Sequence, residues 1–185
     1  MLSNVPWSHY EAELAVRGES AVPRMAYLDG VLELTTPSRG HERTKSLIGC
    51  LVEAYAIDRE ILFMPYGGWT LKAELKKAGL EPDECYILGA DQDRDRPDLA
   101  IEVIWTSRSI DKLEIHRRLK IGEVWFWQDG ELSVHVLDGG SYRRVGRSPS
   151  FPELDLAVLC TFLDRRTVNE AVRDFRAALA ARDAR

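Results

Sequence analysis

The segment Asp98–Trp105, DLAIEVIW, constrains the fold of this chain more than any other. Strand alternation puts Leu99, Ile101, Val103 and Trp105 on one face and Asp98, Ala100, Glu102 and Ile104 on the other. Both faces are mainly apolar, so the strand is expected at the centre of a sheet covered on both sides. Glu102 sits in its middle, where an ionised carboxylate is costly unless a cation, a hydrogen-bond donor or a shifted pKa compensates. Two readings stand side by side: a carboxylate paired with an arginine or a backbone amide, or one half of a divalent-metal site.

Asp83 supplies the second half. It follows Pro82 at the start of another strand, PDECYILG, nineteen positions before Glu102. That separation holds one strand, a loop and the first half of the next strand, so adjacent strands would bring the two carboxylates together. Two oxygen ligands completed by water and a phosphate oxygen suit magnesium. Such an ion activates water and stabilises developing phosphate charge.

Lys112 lies one turn into the helix that follows the Glu102 strand, and its side chain can fold back towards the acids. There it would complement the transition state or lower the pKa of the attacking water. The alternative is an exposed helix lysine. His41 and Glu42, at the start of the first long helix, are candidates for a further acid, base or water ligand, with helix capping or a solvent role as the alternative. Asp98 shares the Glu102 face but lies four residues away, roughly 13 Å by strand rise, and is not expected to share an ion with it.

The rest of the chain reads as mixed α and β. MAYLDGVLELTTPS is a hairpin turning at Asp29-Gly30. From His41 to about Ile57, Leu47, Ile48, Leu51, Val52 and Tyr55 recur at helical spacing, with Ser38 or Gly40 at the start. Ile61 to Met64 reads as a short strand, and GGWTLKAELKKAGL as a polar connector of helical flavour. Ser107 or Ser109 is expected to cap a helix running to about Lys120. EVWFWQ is a strand, Asp129-Gly130 and Asp138-Gly139-Gly140 punctuate a meander through Arg144, and Val168 to Arg182 is a terminal amphipathic helix.

At 185 residues the chain suits one core, so a single domain over 1–185 is expected. No stretch approaches the roughly 20 apolar residues of a membrane span, and no export signal is read at the N-terminus. Cys50, Cys85 and Cys160 are odd in number and widely spaced, which excludes a zinc ribbon or a disulfide framework and suits a cytoplasmic protein. A net charge of −5 disfavours broad binding to a phosphate backbone, leaving local patches at Lys112–Lys120, at Arg143, Arg144 and Arg147, and at Arg165 and Arg166. Each of these is also what a solvated surface looks like.

The segments EPDECYIL, RPDLAIEVIWTSRSIDKLEIHRRLKIGEVW, DGELSVHVL, SYRR and FPEL, with YLDGVLELTTPS and HERTKSLIGCLVEAY before them, resemble the Uma-two family of restriction-endonuclease-like proteins. The similarity spans about Arg24 to Leu159. It implies an α/β fold of the PD-(D/E)xK type: a restriction-endonuclease-like core whose mixed four-stranded central sheet is flanked by helices, with the N-terminal hairpin and C-terminal helix as elaborations. It also implies magnesium-dependent phosphodiester hydrolysis, with manganese as a substitute. Pro82-Asp83 resembles the motif's PD and Glu102 its second acid. Ile104 stands where the motif has lysine, and the family resemblance places that lysine on the following helix, at Lys112. Trp105, His116 and Lys120-Ile121-Gly122 depart from the family pattern.

The leading expectation is therefore a metal-dependent endonuclease acting on nucleic acid, DNA first, as a homodimer, with Asp83 and Glu102 as ligands, Lys112 as charge stabiliser and His41 or Glu42 assisting. The alternative is a catalytically silent relative that binds nucleic acid or protein. A third reading takes EVWFWQ as the pairing surface of an oligomeric module.

Overall fold

The computed structural model describes residues 1–105 and 109–184. Two sheets carry the molecule. The larger has the order β10-β9-β8-β7-β6-β3 and the smaller β2-β1-β5-β4. The larger comprises β3 (Phe63–Pro65), β6 (Glu84–Leu88), β7 (Leu99–Val103), β8 (Glu123–Gln128), β9 (Glu131–Asp138) and β10 (Ser141–Val145). The smaller comprises β1 (Arg24–Leu28), β2 (Val31–Thr35), β4 (Leu71–Ala73) and β5 (Ala78–Leu80).

β7 is central and buried along its whole length, as its two apolar faces require. It runs antiparallel to β6 and parallel to β8. The parallel step needs a crossover, which helix α3 (Lys112–Leu119) provides. Leu99, Ile101 and Val103 pack into one core with residues of α2 (Arg39–Asp58) and α5 (Val168–Asp183). Ala100 packs into another with Ile115 and Leu119 of α3 and with Leu71, Ala78 and Leu80 of the small sheet. The large sheet is thus covered by helices on one side and by α3 with the small sheet on the other.

Several local expectations are corrected. GGWTLKAELKKAGL is not helical: β4 and β5 form a hairpin around a single 3-10 turn, Glu74–Lys76, closed by Lys77 in the left-handed region at φ 46°. The charges suggested a helix face, but Leu71, Ala78 and Leu80 are buried against α3, and tertiary packing overrides propensity. Asp111, not Ser109, caps α3 by accepting from the Glu114 amide at 2.9 Å, while Ser109 Oγ donates to Glu33. Ser107, the other expected cap, lies outside the described residues. The large sheet has six strands where the family resemblance implied four.

Two further helices were not anticipated: α1 (Trp7–Arg17) and the short α4 (Leu156–Cys160). Tyr10 of α1 stacks on Tyr27 with ring centroids 5.1 Å apart, and its ring occupies the space that a side chain at Gly79 would need. Arg17, at the end of α1, makes a two-pronged ion pair with Glu81. The hairpin at Asp29-Gly30, the Ser38 cap of α2, the meander β8–β10 and the terminal helix all form as read. EVWFWQ is an internal strand between β7 and β9 with Trp125 fully buried, so it offers no pairing surface. Among the described residues, no helix is long and apolar enough to cross a membrane.

Candidate functional site

β6 and β7 pair as Glu84↔Ile101, Cys85↔Ala100 and Tyr86↔Leu99. Continuing that register by one place sets Asp83 opposite Glu102. Asp83 is 2% exposed. Its Oδ2 accepts the Val103 amide at 2.8 Å and lies 3.2 Å from His41 Nε2, while its Oδ1 accepts from the Arg24 guanidinium. Arg24 comes from β1 of the small sheet and His41 from the first turn of α2, so three elements converge on one carboxylate. Burial alone would raise its pKa, but the hydrogen bond from His41 and the charges of Lys112, His41 and Arg24 outweigh it and hold the group at about 2.

Glu102 is fully buried. Its Oε2 accepts from Lys112 Nζ at 2.6 Å and its Oε1 lies 2.8 Å from His116 Nε2. Lys112 and His116 are one turn apart on the same face of α3, which aims both at one carboxylate. His116 is itself fully buried and its Nδ1 has no partner. Burial pulls the Lys112 pKa down, but the charges of Glu102 and Asp83 prevail and raise it, so the side chain stays an ammonium.

His41 follows the same logic: burial lowers its pKa, the Asp83 hydrogen bond and charge raise it, and the balance is upward. Glu42 stands at the edge, with its side chain 43% exposed. It lies 3.5 Å from Arg24, 3.3 Å from His41 and 3.5 Å from Lys45. The structure therefore gathers Asp83, Glu102, Lys112 and His41, and leaves Glu42 touching only the cations around them. Asp98 is engaged elsewhere, by Arg94 at 2.7 Å and by the Leu88 amide.

A cavity of about 410 Å³ opens here, walled by Asp83, Arg24, His41, Lys112, Ile104, Trp105 and the segment Thr35–Ser38 among others. Glu102 contributes no wall and meets this space only through Lys112. Ile104, in the motif's lysine position, supplies apolar lining. Two carboxylates on facing strands match in kind what magnesium takes when water and substrate oxygens complete its shell. Among the described residues, no cluster of three or more histidine, cysteine or acidic side chains is arranged to hold a metal, so any ion would rest on these two acids.

Sequence reasoning did not single out Arg24 as a partner of the acids, and it noted His116 only as a departure. His116 carried a signal, since it stands four residues after Lys112 and must share its helix face. Arg24 carried none, being 59 residues from Asp83. The basic patches are paired only in part: Arg117 with Glu114, Arg118 with Asp29 and Glu114, and Arg165 with Asp164 and Asp174, whereas Arg143, Arg144, Arg147 and Arg166 make no ion pair among the described residues.

No curated protein matches the chain. Among solved structures, a protein described as a "putative nuclease belonging to DUF820" from Anabaena variabilis superposes with a TM-score of 0.54 at 14% identity, over 88% of this chain and 97% of that one. That likeness shows a shared fold of the restriction-endonuclease type. The profile of the Uma2 family, described as "Putative restriction endonuclease", matches residues 7–166. The chain belongs to the Uma2 family.

Proposed function

We propose that this protein is a magnesium-dependent endonuclease that hydrolyses phosphodiester bonds in DNA, with Asp83 and Glu102 as the metal ligands. One observation carries the reading: two buried acids facing each other across β6 and β7, both within the field of Lys112, beside a cavity that Asp83 and Lys112 wall. Family membership and the name of the structural relative support it.

A bound divalent ion would supply Lewis acidity and an activated water. The chain's own residues do the rest. Lys112, whose pKa the charges of Glu102 and Asp83 raise, faces the phosphate and stabilises the charge that builds on its oxygens. Arg24 and His41 fix the Asp83 carboxylate, and His116 fixes that of Glu102. The water oxygen bonds to phosphorus as the bond to one ester oxygen breaks; that oxygen leaves with the bonding pair, and the proton the water gives up passes through solvent to it, so that the products are a phosphomonoester and an alcohol. The first-turn amides of α2, near Ser38 and His41, add positive potential at the cavity.

A silent binder of nucleic acid or protein is the second reading. It is favoured by the fact that each oxygen of both acids already has a donor from the chain. Purified protein incubated with single- and double-stranded DNA and with RNA, plus magnesium or manganese, separates the two. Cleavage is expected for DNA, with losses of about 100-fold or more in Asp83→Asn and Glu102→Gln and about 100-fold in Lys112→Ala. Cleavage that survives all three substitutions sinks this site, and calorimetry showing no manganese uptake favours the silent binder.

A further inference from the structure

Trp105 is 55% exposed although it is a large aromatic residue at the mouth of a buried site. It lines the same cavity as Asp83 and Lys112. Its ring is anchored on one side: Trp127 packs against it with centroids 5.7 Å apart, and Cη2 comes within 3.4 Å of where a side chain on Gly40 would begin. The ring thus lies in contact range of the start of α2. Packing on Trp127 and Gly40 accounts for the anchored part of the indole and not for the part left in solvent.

We infer that the exposed part of Trp105 is a stacking platform for an unpaired nucleobase next to the scissile phosphate, so that the preferred substrate is single-stranded DNA. This rests on the nuclease reading above. Three observations point to a nucleobase. The cavity volume falls in the range of about 300–1,000 Å³ typical of small-molecule sites. The ring shares the cavity wall with Arg24 and Lys112, the cations that would meet the adjoining phosphate. The net charge of −5 leaves little diffuse attraction for a duplex backbone, so an uncharged contact must carry a large share of binding. Base–aromatic stacking is such a contact, and a base still paired in a duplex cannot reach the ring.

The test uses the wild-type chain, Trp105→Ala and Trp105→Phe, with circular dichroism to confirm the fold. EDTA suppresses turnover while anisotropy measures binding of a single-stranded oligonucleotide carrying 2-aminopurine and of its duplex. The wild type is expected to prefer the single strand and to quench 2-aminopurine. Trp105→Ala should lose about 10- to 100-fold in single-strand affinity, together with the quenching. Trp105→Phe should keep most of both, and duplex binding should be the same in all three. Equal single-strand affinity in Trp105→Ala and the wild type, or a wild type that prefers duplex, overturns the inference. Parallel cleavage assays separate the two levels: a wild type that binds single strands through Trp105 but never cuts defeats the nuclease and leaves the platform, whereas cutting indifferent to Trp105 defeats the platform alone.

Discussion

Glu102 on β7 and Glu123 on β8 are buried carboxylates on the same parallel strand pair, at opposite ends of it. Leu99 faces Glu123 and Glu102 faces Phe126, so the two lie about three residues, roughly 10 Å, apart along the strands. Among the described residues Glu123 accepts from neutral groups only: Trp125 Nε1 at 2.6 Å and the Ser150 amide and hydroxyl at 3.0 and 2.6 Å. Glu102 is held by Lys112 and His116, next to a cavity at the carboxyl end of its strand. Burial therefore does not distinguish a functional carboxylate from a structural one. The chemistry of the partners does: fixed neutral donors tie a loop to a strand, while the Lys112 ammonium leaves charge at hand that a substrate can use.

The sharpest way to break this contrast is to neutralise each acid in turn. Glu102→Gln should lose about 100-fold or more in cleavage. Glu123→Gln should cleave within about 3-fold of the wild type while losing about 1–3 kcal/mol of stability, because its amide sets a donor against the Trp125 or Ser150 donors. Single-turnover rates and urea midpoints on both variants decide it, and equal cleavage losses would erase the distinction.

Acid titration probes the other carboxylate of the pair. The folded pKa of Asp83 is depressed to about 2 by groups facing it, namely His41, Lys112 and Arg24. A depressed carboxylate contributes stability that is fully present above its unfolded pKa near 4 and is lost as pH falls through about 2. The contribution is on the order of 2 kcal/mol. Urea midpoints of the wild type and Asp83→Asn should therefore converge between about pH 4 and pH 2. A gap of constant size across that window would show that Asp83 gains nothing from its cations.

The smallest effect concerns His116, a positioning residue for Glu102. His116→Leu removes the donor to Glu102 Oε1 and should lower kcat about 10-fold with KM nearly unchanged. His116→Gln, whose amide nitrogen can take the place of Nε2, should restore most of it. Leucine and glutamine variants that behave alike would assign His116 to packing.

What could be read in the sequence were features with a local period or a short reach. The alternation of DLAIEVIW located the central strand, and the proximity of SRSIDK to that strand located Lys112. The facing of Asp83 and Glu102 followed from a strand–loop–strand separation. His41 was legible only as a candidate, since its amide serves the Ser38 cap while its ring reaches Asp83. Arg24 was out of reach because nothing local tells that the start of β1 meets the segment Glu81–Asp83. The β4–β5 hairpin was hidden by Lys72, Glu74, Lys76 and Lys77, whose charges imitate a helix face. Helix α1 was missed although Trp7, Tyr10 and Leu14 share one face at helical spacing and pack on β1 and β2.

That helix has a bearing on how relatives of this protein are compared. Arg17 grips Glu81 two residues ahead of Asp83, and Glu81 also receives the Met25 amide and the Thr70 hydroxyl. A shortened chain beginning at the first hairpin would keep Arg24, Asp83, Glu102, Lys112 and Trp105 while removing the Arg17 cation from Glu81, in the peptide that delivers Asp83 to its place. Sequence drift in the first seventeen residues is thus coupled to an acid more than sixty positions away, and the coupling runs through the main chain between Glu81 and Asp83.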